Sequence, residues 1–226
     1  MRVGIIGAGN VAHALGKSFV RGGHDVTIAD RTPEKAKSTA SEVGAKAAGD
    51  FESLVRDADV IVLAVTFRGG AEAVSKAIAS QADGKIVIDC TNPLNETYSG
   101  LVTEGGPSAG ERVQSWLPRA KVVKAFNTVF ASKQADPVVD GQPADALFAT
   151  DDDTAIETFS ELASSAGFRP IHVGQLARSK ELEALGFLSI SLQISKQGNW
   201  QSAWKLLDPP PAAVRETAAA GHKTAS

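Results

Sequence analysis

The sequence predicts an α/β fold: a doubly wound, mostly parallel sheet followed by a small C-terminal helical extension. Three observations lead there. Short apolar runs recur at 3–6, 25–29, 59–65, 85–89 and 122–126 without clean alternation, so these strands are buried on both faces, as in parallel sheets. Helical stretches at 12–20, 33–43, 51–56, 71–80 and 110–117 separate them, and strand–helix alternation marks βαβ units. Glycines stand between the first strand and the first helix, where such a unit turns tightly.

The elements follow in order. Val3-Gly4-Ile5-Ile6 runs into the turn Gly7-Ala8-Gly9, and the first helix follows. Asp25-Val26-Thr27-Ile28-Ala29 is the second strand. Thr32 suits the N-cap of the next helix and Pro33 its first position. After the fifth strand the pattern resumes with a strand at 146–149. Asp151-Asp152-Asp153 then opens a helix over 154–166, where acids suit the positive end of the helix dipole. Gly167 ends that helix, and 170–173 forms a further strand. A last helix over 179–194 carries Leu182, Leu185, Leu188 and Leu192, and a shorter segment holds Trp200 and Trp204. From Asp208 the chain reads Pro-Pro-Pro and then small and polar residues, the composition of a flexible tail. The expected division is a dinucleotide-binding domain over 1–174, a helical extension over 175–207 and a tail over 208–226.

Composition narrows the function. The chain has 226 residues, 43% hydrophobic and 22% charged, ordinary values for a globular domain. Its 23 basic and 26 acidic residues nearly cancel, which leaves no basic field for a nucleic acid. The longest apolar run found, 60–65, has six residues against the ~20 that span a bilayer, so no membrane partner is expected. One cysteine, Cys90, forms no internal disulfide and no thiolate zinc site, and the histidines lack ligand spacing. No metal site and a cytoplasmic setting are expected.

Gly7-x-Gly9-x-x-Ala12 fits the dinucleotide fingerprint of a Rossmann-type fold. The first glycine permits the turn and the second admits pyrophosphate to the backbone. The small third residue lets helix and strand pack closely. Pyrophosphate then sits at the helix N-terminus, where N–H groups and the dipole favour anions. Asp30, 23 residues after Gly7, stands where an acid bonds the ribose 2′-hydroxyl of NAD. Arg31 and Lys35 follow directly and suit the 2′-phosphate of NADP. The residues alone leave the two cofactors even.

Several blocks together resemble the coenzyme F420-dependent NADP oxidoreductase family and the cytoplasmic domain of STEAP metalloreductases. They are the opening 3–11, Asp30-Arg31-Thr32-Pro33-Glu34-Lys35, Ala64-Val65-Thr66-Phe67-Arg68, Asp89-Cys90-Thr91-Asn92-Pro93, Val122-Val123-Lys124-Ala125-Phe126-Asn127-Thr128, 166–170 and 204–207. The resemblance implies that Ala8, Gly9, Asn10 and Val11 hold pyrophosphate, and that Arg31 and Lys35 hold the 2′-phosphate. Asp30 replaces the serine common there, a departure from NADP preference. It also implies that Val65, Thr66, Phe67 and Arg68 flank the nicotinamide, with Asn92 and Pro93 in the same crevice and Asn127, Thr128 and Ala131 opposite.

The implied reaction is hydride transfer between the nicotinamide of NADPH or NADH and a deazaflavin (F420) or flavin. The rings carry the electronics and the protein stacks them and excludes water, so the sequence names no catalytic residue. Asn127 and Thr128 are candidates to orient the carboxamide. Two other readings stand beside this one. A reductase of imines or hydroxy acids would carry a lysine with an asparagine four residues on, whereas Lys196 is followed by Asn199 and Lys180 by Ala184. A dinucleotide-sensing module would need no acid–base residue. The leucine-bearing last helix, with Trp200 and Trp204 nearby, suggests a homodimer.

Overall fold

The computed structural model describes residues 1–207; the tail expected over 208–226 lies outside them. Eight strands form one sheet in the order β10-β9-β6-β5-β4-β1-β2-β3. The first half is β1 (Arg2–Ile6), α1 (Asn10–Arg21), β2 (Asp25–Ala29), α2 (Pro33–Val43), the short β3 (Lys46–Ala47) and α3 (Phe51–Asp57). The second half runs β4 (Val60–Leu63), α4 (Glu72–Ile78), β5 (Ile86–Asp89), α5 (Ala109–Trp116), β6 (Lys121–Ala125) and α6 (Ala131–Ala135). Then come the hairpin β7 (Val138–Val139) and β8 (Gln142–Pro143), β9 (Asp145–Ala149), α7 (Asp153–Ser165), β10 (Arg169–His172) and α8 (Ser179–Ser195).

Two layers of helices follow from strand parity. Val3 and Ile5 face one side, with Val60, Val62, Ile88 and Val123, and α1 and α2 bury Leu15, Phe19 and Ala40 against them. Ile6, Ile61, Leu63, Val87 and Val122 face the other side, covered by Leu54, Ile78 and Val113. Continuous apolar strands such as Val60–Leu63, buried at every position, therefore read correctly as strands covered on both faces. The chain moves from β1 outward to β3 and then restarts on β1's other side at β4. The opening between β1 and β4 is the switch point where such sheets bind ligands.

The last two strands depart from the parallel pattern, since β10 pairs parallel to β9. β9 runs antiparallel to β6, pairing Lys124 with Ala149 and Ala125 with Phe148. Asp140 and Gly141 both take positive φ (50° and 73°) in the β7–β8 turn, as a two-residue hairpin with right-handed twist demands. That hairpin returns the chain along β6 without a full crossover.

Several helix boundaries have local causes. Asp152 caps α7 by accepting the Ala155 N–H at 2.9 Å, and Asp151 accepts the Leu176 N–H at 3.0 Å, so the acid cluster is a helix start. Gly167, at φ 97°, follows α7 as expected. Thr32 occupies the N-cap of α2, but its side chain makes no capping bond. The helix expected over 71–80 starts as one wide turn over Phe67–Ala71, and α4 proper begins at Glu72. After α8 the chain to 207 has no further regular element.

The leucines expected to line one face of α8 divide. Leu182 is buried, whereas Leu188 and Leu192 are 47% and 36% exposed, with Ile194 beside them at 52%. No helix among the described residues is long and apolar enough to cross a membrane.

Candidate active site: a dinucleotide groove beside an acceptor cleft

The glycine turn is fixed by sterics. Gly7 holds φ 118°, and a Cβ there would lie 2.3 Å from the Ala64 carbonyl oxygen of the neighbouring strand end. Only glycine satisfies both conditions. Its N–H donates to Ala29 O at 2.8 Å, which locks the turn to β2. Gly9 caps α1 without a side-chain bond, and a Cβ placed on it meets nothing within 4 Å. The space over Gly9 is thus open where pyrophosphate would approach. Ala12, wholly buried, seats α1 on the sheet. The unladdered N–H groups of the first turn and the positive dipole end meet an anion there.

A groove of about 210 Å³ brings together Gly7, Ala8, Gly9, Asp30, Arg31, Val65 and Thr66. Asn10 and Val11 begin α1 at its edge. Asp30 has a local duty: its Oδ1 accepts the Thr32 N–H at 2.9 Å. That Asx turn shapes the entry to α2. Arg31 and Lys35 are exposed and carry no ion pair among the described residues. Both cations therefore remain available beside the groove.

The crevice residues divide into several roles. Phe67 does not face the groove. Its ring is buried and stacks on Trp116 at 5.9 Å, with the Arg112 guanidinium 5.9 Å from its centroid. Arg68 pairs with Glu96 at 2.5 Å and so ties the loop after β4 to the loop after β5. Asn92 and Asn127 clasp each other: Asn92 Nδ2 donates to Asn127 O at 2.8 Å, and Asn127 Nδ2 donates to Asn92 Oδ1 at 3.0 Å. Asn127 Nδ2 also donates to Leu182 O at 2.9 Å, which binds α8 to the strand ends. The amide group of Asn127 is thereby spent on the protein, so its expected task at the carboxamide narrows to Oδ1. That atom, Thr91 Oγ1 and Thr128 Oγ1 are buried without a protein partner. Pro93 accepts the Val102 N–H at 2.7 Å through its carbonyl, and Ala131 opens α6, which packs on α1.

The turn presenting Asn127 and Thr128 is strained. Phe126, wholly buried, sits at φ 60°, a conformation that costs a bulky residue about 1–3 kcal/mol. Its ring lies among Phe19, Phe159 and Phe168 at 5.2–6.1 Å. That burial holds the turn in place.

A second cleft, about 950 Å³, lies between residues 99–107, the start of α5 and one side of α8, where Lys180, Glu183 and Phe187 line it. Lys124 lies beneath. Its ammonium contacts Asp89 Oδ2 at 3.0 Å and Glu183 Oε1 at 3.2 Å and donates to Thr91 O at 2.6 Å. All three charged side chains are at most 1% exposed. Burial alone would lower the Lys124 pKa, but Asp89 and Glu183 outweigh it and hold the ammonium charged. Sequence reasoning missed this group. The signal was a lysine inside the apolar run 122–126, but its partners emerge only when Asp89 and Lys124 are known to be register neighbours. Cys90 is buried, and burial pushes its thiol pKa up, so it is inert packing. Among the described residues no cluster of His, Cys, Asp or Glu has the makings of a metal site.

The chain is similar to known proteins. Residues 2–93 match the family described as NADP oxidoreductase, coenzyme F420-dependent. The rat protein Metalloreductase STEAP3 is 35% identical over 186 residues, covering 81% of this chain and 36% of that protein. The chain thus spans about a third of the curated relatives it matches. A provisionally assigned F420-dependent NADP-reductase from Arthrobacter sp. FB24 superposes with a TM-score of 0.82 at 25% identity, over 91% of this chain and 99% of that one. A hypothetical protein from Sinorhizobium meliloti gives 0.72 at 31% identity, over 79% and 87%. Over residues 2–93, from the glycine turn to the strand ends that follow, this chain is thus similar to the coenzyme F420-dependent NADP oxidoreductases.

Proposed function

We propose that this protein transfers a hydride between the nicotinamide of NADPH and a planar ring acceptor, a deazaflavin or a flavin. The observation that carries the reading is the pairing of two spaces. The groove at the β1–β4 switch has an open glycine cradle and the unpaired Arg31, with the exposed Lys35 one turn further along α2. The larger cleft beside α8 lies in the loop after β5, which the Arg68–Glu96 pair ties to the loop after β4 that walls the groove. The residues present fit the dinucleotide: Gly9 leaves room for pyrophosphate, and the unpartnered Thr128 hydroxyl has hydrogen-bonding capacity for an amide.

Bound NADPH supplies the hydride at C4 of its nicotinamide. Ala8, Gly9, Asn10 and Val11 would hold the pyrophosphate through backbone N–H groups. Arg31 and Lys35 would hold the 2′-phosphate. Asp30 Oδ1 is held on the Thr32 N–H, and the two cations beside it are what favour NADPH over NADH. Val65 and Thr66 form the groove wall toward the nicotinamide end. Both Glu183 oxygens are taken by the Ala109 and Gly110 N–H groups, so Glu183 is engaged in holding the cleft rather than free to deliver a proton. Exclusion of bulk water and alignment of two rings are the protein's main contributions.

Two further expectations join this reading as proposals. The single buried cysteine fits a reducing, cytoplasmic setting. Leu188, Leu192 and Ile194 on the outer side of α8 suit a homodimer.

The test offers NADPH and NADH to the pure protein with F420, FAD and FMN in separate reactions. Reduction of a ring acceptor with NADPH as the better donor supports the proposal. Turnover of a small imine or carbonyl with no ring acceptor reduced would replace it with the imine or hydroxy-acid reductase reading. Tight donor binding with no turnover would replace it with a sensing role.

A further inference from the structure

The buried Lys124 group has a geometry that core filling does not require. Its three charged side chains come from three elements: Asp89 ends β5, Lys124 lies in β6 and Glu183 lies in α8. An ammonium has three N–H donors, and the contacts to Asp89, Thr91 O and Glu183 use all three. Asp89 turns its other oxygen to the Thr91 N–H at 2.9 Å. Glu183 accepts the Ala109 and Gly110 N–H groups, each at 3.1 Å, at the start of α5. One ammonium thus faces two carboxylates, and the first N–H groups of α5 offset the excess negative charge.

These bonds fix the walls of the acceptor cleft. The strand end 89–93 carries Asn92 and Pro93. The start of α5 terminates the loop that forms the outer wall, and α8 forms the inner wall. Gly110 approaches α8 so closely that a Cβ would lie 2.4 Å from Ser179 Oγ. Gly186, one turn after Glu183, lies against the clasp, where a Cβ would be 2.8 Å from Asn92 Oδ1. An apolar trio of equal volume would leave the Ala109, Gly110 and Thr91 backbone groups without these partners and would not register three elements by directed bonds.

We propose that Lys124, Asp89 and Glu183 are positioning residues that set the width of the acceptor cleft and thereby the distance between donor and acceptor rings. The proposal rests on the hydride-transfer function proposed above. Glu183 is the adjustable member, because it alone joins both cleft walls to the lysine. None of the three touches the dinucleotide groove, so donor binding is independent of them.

The experiment compares E183Q and E183D with the unaltered full chain. E183Q removes one of two negative charges around one positive charge and keeps the side-chain volume; E183D keeps the charge and shortens its reach. Amide hydrogen exchange without ligand should quicken at Ala109 and Gly110 by about tenfold or more in both variants, since the bonds that protect these amides are weakened. NADPH affinity should stay within about twofold, while single-turnover reduction of FMN or F420 falls by about tenfold or more, as misplaced reacting groups require. A purely structural role would lower donor binding and rate together with the folded fraction. Wild-type transfer rates in either folded variant, or donor affinity falling in step with the rate, would overturn the proposal. If the unaltered protein reduces no ring acceptor, the functional reading itself fails, and unchanged exchange at Ala109 and Gly110 would separately show that Glu183 does not register the walls.

Discussion

Asp30 gives the sharpest handle on donor choice. As a free acid at the end of β2 it would favour NADH, yet here its Oδ1 receives the Thr32 N–H and shapes the entry to α2. Asp30→Asn keeps an oxygen for that bond and removes only the charge. A carboxylate ~6 Å from a phosphate oxygen in a water-like dielectric repels each unit charge by about 0.7 kcal/mol. A phosphate carrying nearly two charges, partly screened by salt, raises this to about 1 kcal/mol, or roughly a fivefold gain in NADPH affinity. NADH affinity should change little, because it lacks the phosphate. Arg31→Ala should act in the opposite direction. A hydrogen bond to a charged group contributes about 1.5–3 kcal/mol, and exposure of Arg31 places the loss at the lower end, about tenfold for NADPH alone. The assay is fluorescence titration of both reduced cofactors at two ionic strengths. The NADPH advantage should shrink at ~1 M salt, where the Debye length falls to about 3 Å. Equal weakening of NADPH and NADH in Arg31→Ala, or no gain for NADPH in Asp30→Asn, would refute the reasoning.

Other outcomes follow from the same geometry. Gly7→Ala places a methyl 2.3 Å from Ala64 O at φ 118°, so the variant should lose measurable dinucleotide binding in the same titration; binding at the wild-type level would show that the turn is not the cradle. Phe126→Ala removes a fully buried ring and should cost about 3–5 kcal/mol in urea unfolding, with an unchanged midpoint counting against the buried ring as the support of the turn. Burial would raise the pKa of Asp145, but Arg169, Lys205 and the Leu206 N–H together hold it below the usual carboxylate range. A carboxylate depressed on folding stabilises above its unfolded pKa, and that stability is lost as pH falls through the folded value. Asp145→Asn should therefore lower stability at neutral pH and flatten the acid limb of the pH–stability curve; a limb unchanged from wild type would remove Asp145 as its source. Sedimentation should give a dimer at micromolar concentration that Leu188→Glu dissociates, whereas a wild-type monomer would remove α8 as an interface.

Local chemistry was legible in the sequence and side-chain partnership was not. The turn at Gly7 and Gly9 is written in residues a few positions apart, and unbroken apolar runs such as Val60–Leu63 announced a sheet covered on both faces. The direction of β9 was hidden because it depends on the β7–β8 hairpin, four paired residues with no apolar run of their own. Phe67 stood at the right strand end, but its ring turns toward Trp116 of α5, a contact 49 residues away along the chain (116 − 67). Asn127 looked like a ligand-facing residue until α8 supplied Leu182 O as its acceptor. The leucines of α8 share helical spacing, yet the helix lies on the strand ends at Gly186 and exposes Leu188 and Leu192. Lys124 and Asp89 needed the strand order before they became neighbours, and Glu183 needed the docking of α8.

The central claim is that the groove and the cleft bring a nicotinamide and a second ring together. Anaerobic stopped-flow mixing of NADPH-loaded protein with F420, FAD or FMN tests it most directly, following the nicotinamide and the acceptor in the same trace. The account predicts loss of NADPH absorbance in step with reduction of one ring acceptor, and a primary isotope effect when the transferred hydrogen is deuterium. Saturated NADPH that stays reduced with every ring acceptor, while an imine or carbonyl discharges it, would contradict the claim.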